Sequence, residues 1–314
     1  MTLRSIGATL PGAMPVRNYR PEEFAAAASV LDQAFDIAWT GDHLLWHYPV
    51  VDPIVTLSSV ALLTRKVRLG IGILHTPVRS VLPTAKALAS LDYLSQGRLI
   101  VGVGVGGEMP SEFLAVGVPV SERGVRTDEA IEAFRALWRD HPATFSGRFM
   151  SFENAELMPA PAQPNGPPIW IGGRSSAAVR RAARTGDGWL ALFLTPERFA
   201  ERREELEAQT EGGRDVEMAI HLPTCIGGAG AEDRMRGFYG RMASYDADRF
   251  SRYWATGSAE QIIDTVGRYV DAGVQHIVLA PPGPEFVPQL EAIATEILPA
   301  LRSQMTAGRK AGAR

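Results

Sequence analysis

The sequence is short of most features that announce a function. It holds one cysteine, Cys225, in 314 residues, so no internal disulfide can form and a reducing compartment is expected. No apolar run approaches the roughly 20 residues that a bilayer span requires. The amino-terminal residues also lack the basic-then-apolar order of a secretory leader. A cytoplasmic protein without a membrane partner is the expectation. Charge of neither sign is in excess: 32 basic against 35 acidic residues leave −3, which offers no field for nucleic acid or an anionic surface. Six histidines are present, yet His141, His221 and His276 fall at no metal-ligand spacing. The His221/Cys225 pair would need two further ligands on what reads as a strand, so no metal is expected. What remains is ordinary globular composition, 46% hydrophobic and 21% charged.

Glycine is what the chain has in a pattern. From Gly97 to Gly107 it reads Gly-Arg-Leu-Ile-Val-Gly-Val-Gly-Val-Gly-Gly. The apolar run Leu99 to Val101 suits a strand buried on both faces, and Gly102, Gly104 and Gly106 then fall on one face. A strand end with a bare face admits a flat ligand. The run also satisfies G-x-G-x-x-G, but a dinucleotide site needs a helix opening at the third glycine and an acidic residue about 20 positions on. Here Glu108-Met109-Pro110 interrupts, and the next clear helix begins near Ser121. The glycines therefore read as room for a ring rather than a grip on a pyrophosphate.

Around this strand, strand-like and helix-like segments alternate. Besides the glycine-ended one, strands are expected at 5–10, 36–40, 67–73, 169–171, 188–193, 217–224 and 276–279, each followed by helix, with helix to about Tyr245 after the seventh strand and a further helix over 258–272 before the eighth. Repeated βα units imply a parallel sheet. Eight of them over about 300 residues favour a closed (β/α)8 TIM barrel with insertions over an open doubly wound sheet. The expected organisation is one α/β barrel domain over 1–302, with a proline-rich excursion near 141–168 and a solvated, disordered tail over 303–314.

Several ordered motifs are similar to the bacterial luciferase-like flavin oxidoreductase superfamily. They are Trp39-Thr40-Gly41-Asp42-His43, the glycine-ended strand, Glu122-Arg123-Gly124-Val125-Arg126-Thr127-Asp128-Glu129, Pro167 to Gly173, and Arg180 to Trp189. Within the superfamily the chain resembles most the branch that uses the deazaflavin coenzyme F420, with the FMN-using branch as neighbour. The resemblance implies a ring in the barrel mouth, beside Gly104, Val105, Gly106 and Gly107. It further implies a non-prolyl cis peptide at Gly72-Ile73 beneath the ring, and a tail phosphate beyond the fifth strand at Gly172, Gly173, Arg174 and Ser175. Free N–H groups and hydroxyls at a helix start suit an anion there. Asp187 and Gly188, within the matched stretch, join the cofactor-binding candidates.

His43, closing the second strand, is the first candidate for proton transfer near neutral pH; Asp42, His75 and Glu108 stand beside it as catalytic candidates. The sugar-phosphate dehydrogenases of the deazaflavin branch carry a glutamate just after the glycine loop. Here Gly107 occupies that place and Glu108 follows one position late, which argues against a sugar phosphate. The charged start Arg123, Arg126, Asp128, Glu129 reads first as a salt-bridged helix. The leading expectation is hydride transfer between F420 and a small organic substrate. The alternative is an FMN-dependent monooxygenase supplied with reduced flavin by a partner reductase, and a barrel that binds a flavin without catalysis is the third reading. A homodimer is expected, although no apolar stripe marks the interface.

Overall fold

Helices open in this chain where proline or a capping side chain meets the first orphan N–H groups, and short apolar runs between them become parallel strands. A computed structural model describes residues 2–10, 21–241, 246–283 and 285–312, with side chains to residue 306. In chain order the first half holds β1 (Ser5–Thr9), α1 (Pro21–Ala34), β2 (Ile37–Thr40), α2 (Pro53–Leu63), β3 (Arg68–His75), α3 (Val81–Leu94), β4 (Leu99–Gly104), α4 (Pro110–Ala115) and α5 (Arg123–Arg139). A hairpin of β5 (Ala143–Ser146) and β6 (Ser151–Ala155) follows. Then come β7 (Ile169–Gly172), α6 (Ser176–Thr185), β8 (Gly188–Leu192), α7 (Pro196–Gln209), β9 (Glu217–Ile226), α8 (Ala231–Tyr239) and α9 (Ala247–Phe250). β10 (Ala255–Gly257), α10 (Ala259–Asp271), β11 (His276–Ala280), α11 (Phe286–Ala292) and α12 (Leu298–Gly312) complete the order. The Asp52 carboxylate caps α2 at the N–H groups of Ile54 and Val55, and a Ser258/Gln261 capping box opens α10.

The strands β1-β2-β3-β4-β7-β8-β9-β11 pair in parallel, and β11 returns to β1, closing the eight-stranded barrel. This is the expected (β/α)8 TIM barrel. β10 adds a short parallel pairing to the far end of β9. The barrel interior is filled at mid-height by Ile37, Trp39, Ile100, Trp170, Leu190, Ala219 and Val278. Two indoles fit only because glycines face them: a Cβ at Gly188 would stand 2.7 Å from Trp170 Cδ1, and one at Gly70 would overlap the Trp39 ring. At the amino ends the lumen is closed by polar groups. Ser5 Oγ lies 2.7 Å from His276 Nδ1, and His276 Nε2 lies 3.5 Å from Glu217.

The 141–168 stretch carries the antiparallel hairpin of β5 and β6, a sheet of its own beside the barrel. The Glu129 carboxylate holds its turn by accepting the N–H groups of Arg148, Phe149 and Met150. The helix start at 123–129 is salt-bridged, with Asp128 reaching across to Arg181 and Arg184 of α6. The tail expected from residue 303 is instead helical as far as Gly312, continuing α12. α8 ends at Tyr239, and residues 242–245 lie outside the described residues. No helix among the described residues is long and apolar enough to cross a membrane.

Candidate active site

In a parallel barrel every strand points its carboxyl end to the same mouth, and loops after the strands furnish the chemistry. Here the interior positions of the uppermost layer are nearly free of side chains on β3, β4 and β7, which present Gly72, Gly102, Gly104 and Gly172. That space is shared by one side chain from a neighbouring strand. The register of β3 against β4 shifts between Ile71 and Leu74, the Gly72-Ile73 peptide is cis, and Ile73 turns into the barrel. A Cβ at Gly104 would overlap Ile73 Cδ1, and one at Gly172 would stand 2.5 Å from Ile73 Cγ2. The face read as bare is thus covered by Ile73 at Gly102 and Gly104. Beyond it, the glycine loop reaches His75: a Cβ at Gly106 would lie 3.3 Å from that imidazole, and Gly107 sits beside the Arg123 guanidinium.

Two histidines and a carboxylate converge at the rim. The His43 and His75 rings meet edge-on with centroids 4.7 Å apart, and Trp46 stacks on His43 at 3.8 Å. Between the imidazoles stands Glu112, 0% exposed, on α4. Its Oε1 accepts the N–H of Leu44 at 2.6 Å and of Leu45 at 3.1 Å, and lies 3.3 Å from His43 Nδ1. Its Oε2 is 3.8 Å from His75 Nδ1. Burial pushes the Glu112 carboxyl up, but the His75 imidazole, the Leu45 N–H and His43 outweigh it and bring it to about 2. Burial, reinforced by neighbouring His75, lowers His43 to about 4 against the opposite pull of Glu112.

Asp42 is buried behind this group. Its carboxylate accepts the His75 backbone N–H at 3.0 Å and two bonds from Arg79 at 2.9 and 2.6 Å. Arg79 also reaches Asp52 at 2.8 Å. Burial works against the Arg79 charge, but Asp42 and Asp52 outweigh it and hold the guanidinium above its ordinary pKa. Asp42 therefore fixes the backbone that carries His75.

Residues 7–250 match the family described as luciferase-like monooxygenase. The chain belongs to the luciferase-like monooxygenase family. It is 28% identical, over 89% of its length and 92% of the relative's, to an F420-dependent glucose-6-phosphate dehydrogenase of Kineococcus radiotolerans. It superposes on an F420-dependent secondary alcohol dehydrogenase solved with an F420–acetone adduct with a TM-score of 0.84 at 22% identity, covering 95% of this chain and 99% of that one. The oxygenating constituent of 3,6-diketocamphane monooxygenase of Pseudomonas putida, a type II Baeyer–Villiger monooxygenase with FMN, matches at 0.78 and 15% identity, over 95% and 99%.

On this luciferase-like barrel the expected site residues divide into three groups. His43, His75, Gly72, Ile73, Gly104, Val105, Gly106 and Gly107 belong to the ends of β2, β3 and β4 or the loops beyond them. Gly172, Gly173, Arg174 and Ser175 link β7 to α6, with Gly173 at φ +126° and Ser175 capping the helix through the Ala178 N–H. Arg174 and Ser175 are exposed at that helix start. The third group is misplaced. Asp187 precedes β8 and Gly188 opens it, so they lie at the amino ends of the strands, opposite the mouth. There Asp187 accepts the Ile169 N–H at 2.7 Å and pairs with Arg135, while Gly188 makes room for Trp170. Glu108 is exposed, and the carboxylate brought to the histidines is Glu112, four residues on. Its sequence signal is a proline at a helix start with an acid two positions later, Pro110-Ser111-Glu112. Sequence reasoning also passes over His221 as a site residue. It shares the interior face of β9 with Ala219, near the mouth, with Nδ1 buried and without a partner. Burial lowers it to about 4.

Proposed function

We propose that this chain is an F420-dependent oxidoreductase that transfers a hydride between the deazaflavin and a small organic substrate at an alcohol or carbonyl carbon. The observation that carries the reading is the His43–Glu112 pair. A buried carboxylate anchored by two backbone N–H groups holds His43 at Nδ1, which makes Nδ1 the proton-bearing nitrogen and leaves Nε2 with a lone pair. Such an imidazole accepts the hydroxyl proton as the carbon loses hydride, and returns it in the reverse direction. The upper barrel suits a flat group: glycines at 102, 104 and 172 close on Ile73, Gly72 faces Leu190 and Trp39, and Gly106 leaves the loop close to His75. The Gly172 to Ser175 turn, with free N–H groups at the start of α6, suits the coenzyme's phosphate. The deazaflavin, when bound, supplies the hydride acceptor and donor. His43 handles the proton, Glu112 orients it, and Asp42 with Arg79 keeps His75 in place. The dehydrogenase of Kineococcus radiotolerans and the secondary alcohol dehydrogenase, both named as F420-dependent, support the coenzyme over FMN.

A homodimer accompanies this reading. Exposed apolar side chains gather on the adjacent helices α2 (Val55, Leu62, Leu63) and α3 (Leu82, Tyr93, Leu94), a face suited to a second copy of the chain. We place the protein in the cytoplasm, in keeping with a single, buried, reduced Cys225.

The test is a pair of binding titrations, with deazaflavin and with FMN, followed by turnover of His43→Ala. Tight deazaflavin binding and a fall in kcat of about 10² to 10⁴, with coenzyme affinity retained, are expected. Binding of FMN alone, with oxygen consumed as substrate is oxidised, would point to the flavin monooxygenase instead. Undiminished turnover by His43→Ala would remove the proton-transfer role.

A further inference from the structure

Glu112 is loaded unevenly. Three donors crowd Oε1, whereas Oε2 is buried and has no hydrogen-bond partner. His75 Nδ1 is likewise buried without a partner, and the two orphans face each other at 3.8 Å. That is too long for a hydrogen bond, but it fits two ligands of one ion. A metal about 2.1 Å from both Oε2 and His75 Nδ1 would subtend an angle of about 130° across that pair. His43 Nδ1 stands 3.3 Å from the other oxygen of the same carboxylate, and ligand atoms of all three residues fall within 4.8 Å of one another.

We propose that His43, Glu112 and His75 form a site for one divalent transition-metal ion of the zinc and cobalt class, bound through Nδ1 of each imidazole and the Glu112 carboxylate. Two imidazole nitrogens and one carboxylate oxygen select such ions over magnesium or calcium. The surroundings are already those that orient ligands: Leu44 and Leu45 N–H groups fix the carboxylate, and Asp42 fixes the backbone of His75. Three protein ligands leave a fourth position open. The His43 side chain, 15% exposed against 9% for His75 and 0% for Glu112, is where an ion enters.

Occupancy has a defined chemical consequence. With metal on Nδ1, the His43 proton moves to Nε2, with no net proton released, and the nitrogen needed as base has no lone pair to offer. The ion thereby switches proton transfer off. This consequence rests on the hydride-transfer reading, whereas binding of the ion does not.

The experiment is a cobalt titration of the coenzyme-free chain, read by visible absorption. One equivalent producing the ligand-field bands of a low-coordinate site is expected. His75→Ala and Glu112→Gln, each folded by circular dichroism, should raise the cobalt Kd by at least about tenfold, the cost of losing even an outer-shell partner. His141→Ala, an exposed histidine away from the site, should leave the bands intact. Absent bands, or bands that survive both ligand substitutions, would overturn the site and leave an unclosed His75–Glu112 contact in its place. A deazaflavin titration on the same preparation keeps the two readings apart, since a chain that binds cobalt but no deazaflavin refutes the hydride-transfer reading alone.

Discussion

Substitution Gly104→Ala isolates the packing that shapes the mouth. The new Cβ would overlap Ile73 Cδ1 and stand 2.9 Å from Cγ1 and 3.5 Å from Cβ. Ile73 already fills the room its other glycine neighbours leave: a Cβ at Gly102 would be 3.2 Å from its Cγ2, and one at Gly172 only 2.5 Å. Overpacking of this kind costs about 1–3 kcal/mol. The conflict is with Ile73 alone, so removing that side chain should abolish it. Ile73→Ala by itself, at a partly buried position, is expected to cost less than the about 2–5 kcal/mol of a fully buried deletion, and in that background the methyl group added at position 104 meets the residue-73 Cβ at 3.5 Å, an ordinary contact. The double-mutant cycle should therefore return a favourable coupling of about 1–3 kcal/mol. Urea unfolding of the four proteins, compared at equal m values, measures it. Gly102→Ala provides the contrast. Its Cβ would overlap the Ile71 carbonyl oxygen, a backbone atom with no rotamer to adopt, so it should be more damaging than Gly104→Ala and gain nothing from Ile73→Ala. Equal costs for Gly104→Ala with and without Ile73 would refute the assignment of the glycine face to that side chain.

Asp42→Asn breaks a pair whose side chains are 0% and 13% exposed and should destabilise the chain by about 3 kcal/mol, the lower end for a broken buried ion pair because Asp52 still faces Arg79. Asp52→Asn, at 38% exposure, should cost less than about 1 kcal/mol; thermal unfolding of both variants checks the order. Asp32 is titratable in the stability profile: burial raises its carboxyl, but the N–H groups of Val67, Lys66 and Arg65 and the Arg98 charge outweigh it and lower the folded pKa. Its contribution is present above the unfolded value and lost as pH falls through the folded one, so Asp32→Asn should flatten the acid limb of a stability-against-pH curve. Leu62→Glu, at a position 69% exposed on α2, should convert a dimer to monomers in light scattering coupled to size exclusion, and an unchanged mass would place the interface elsewhere.

The alternation of elements is enough to read the barrel and, through it, the positions of His43 and His75, because a closed parallel barrel sends every strand end to one mouth. The same rule, applied strictly, removes Asp187 and Gly188: residues that lead into or open a strand sit at its amino end, whatever motif they adjoin. Glu112 is harder to see. It lies 69 residues beyond His43 in the chain, on a six-residue helix too short for apolar periodicity to register. In the sequence, the proline that opens this helix reads as an interruption.

The glycine face shows most sharply where period-two reasoning stops. Along β3, Ile71 packs outward among the helices, and unbroken alternation would send Ile73 and His75 out after it and leave Gly102 and Gly104 bare. The register shift between Ile71 and Leu74 inverts that order. Leu74 now packs outward with the helices, Ile73 joins the interior with Trp39 and Ile100, and His75 turns to Gly106 and Glu112. One irregularity of a single strand thus fills the glycine face and delivers the second imidazole. Neither effect can be had without the other, so a substitution that restored regular pairing of β3 with β4 would expose the glycines and withdraw His75 from Glu112 together.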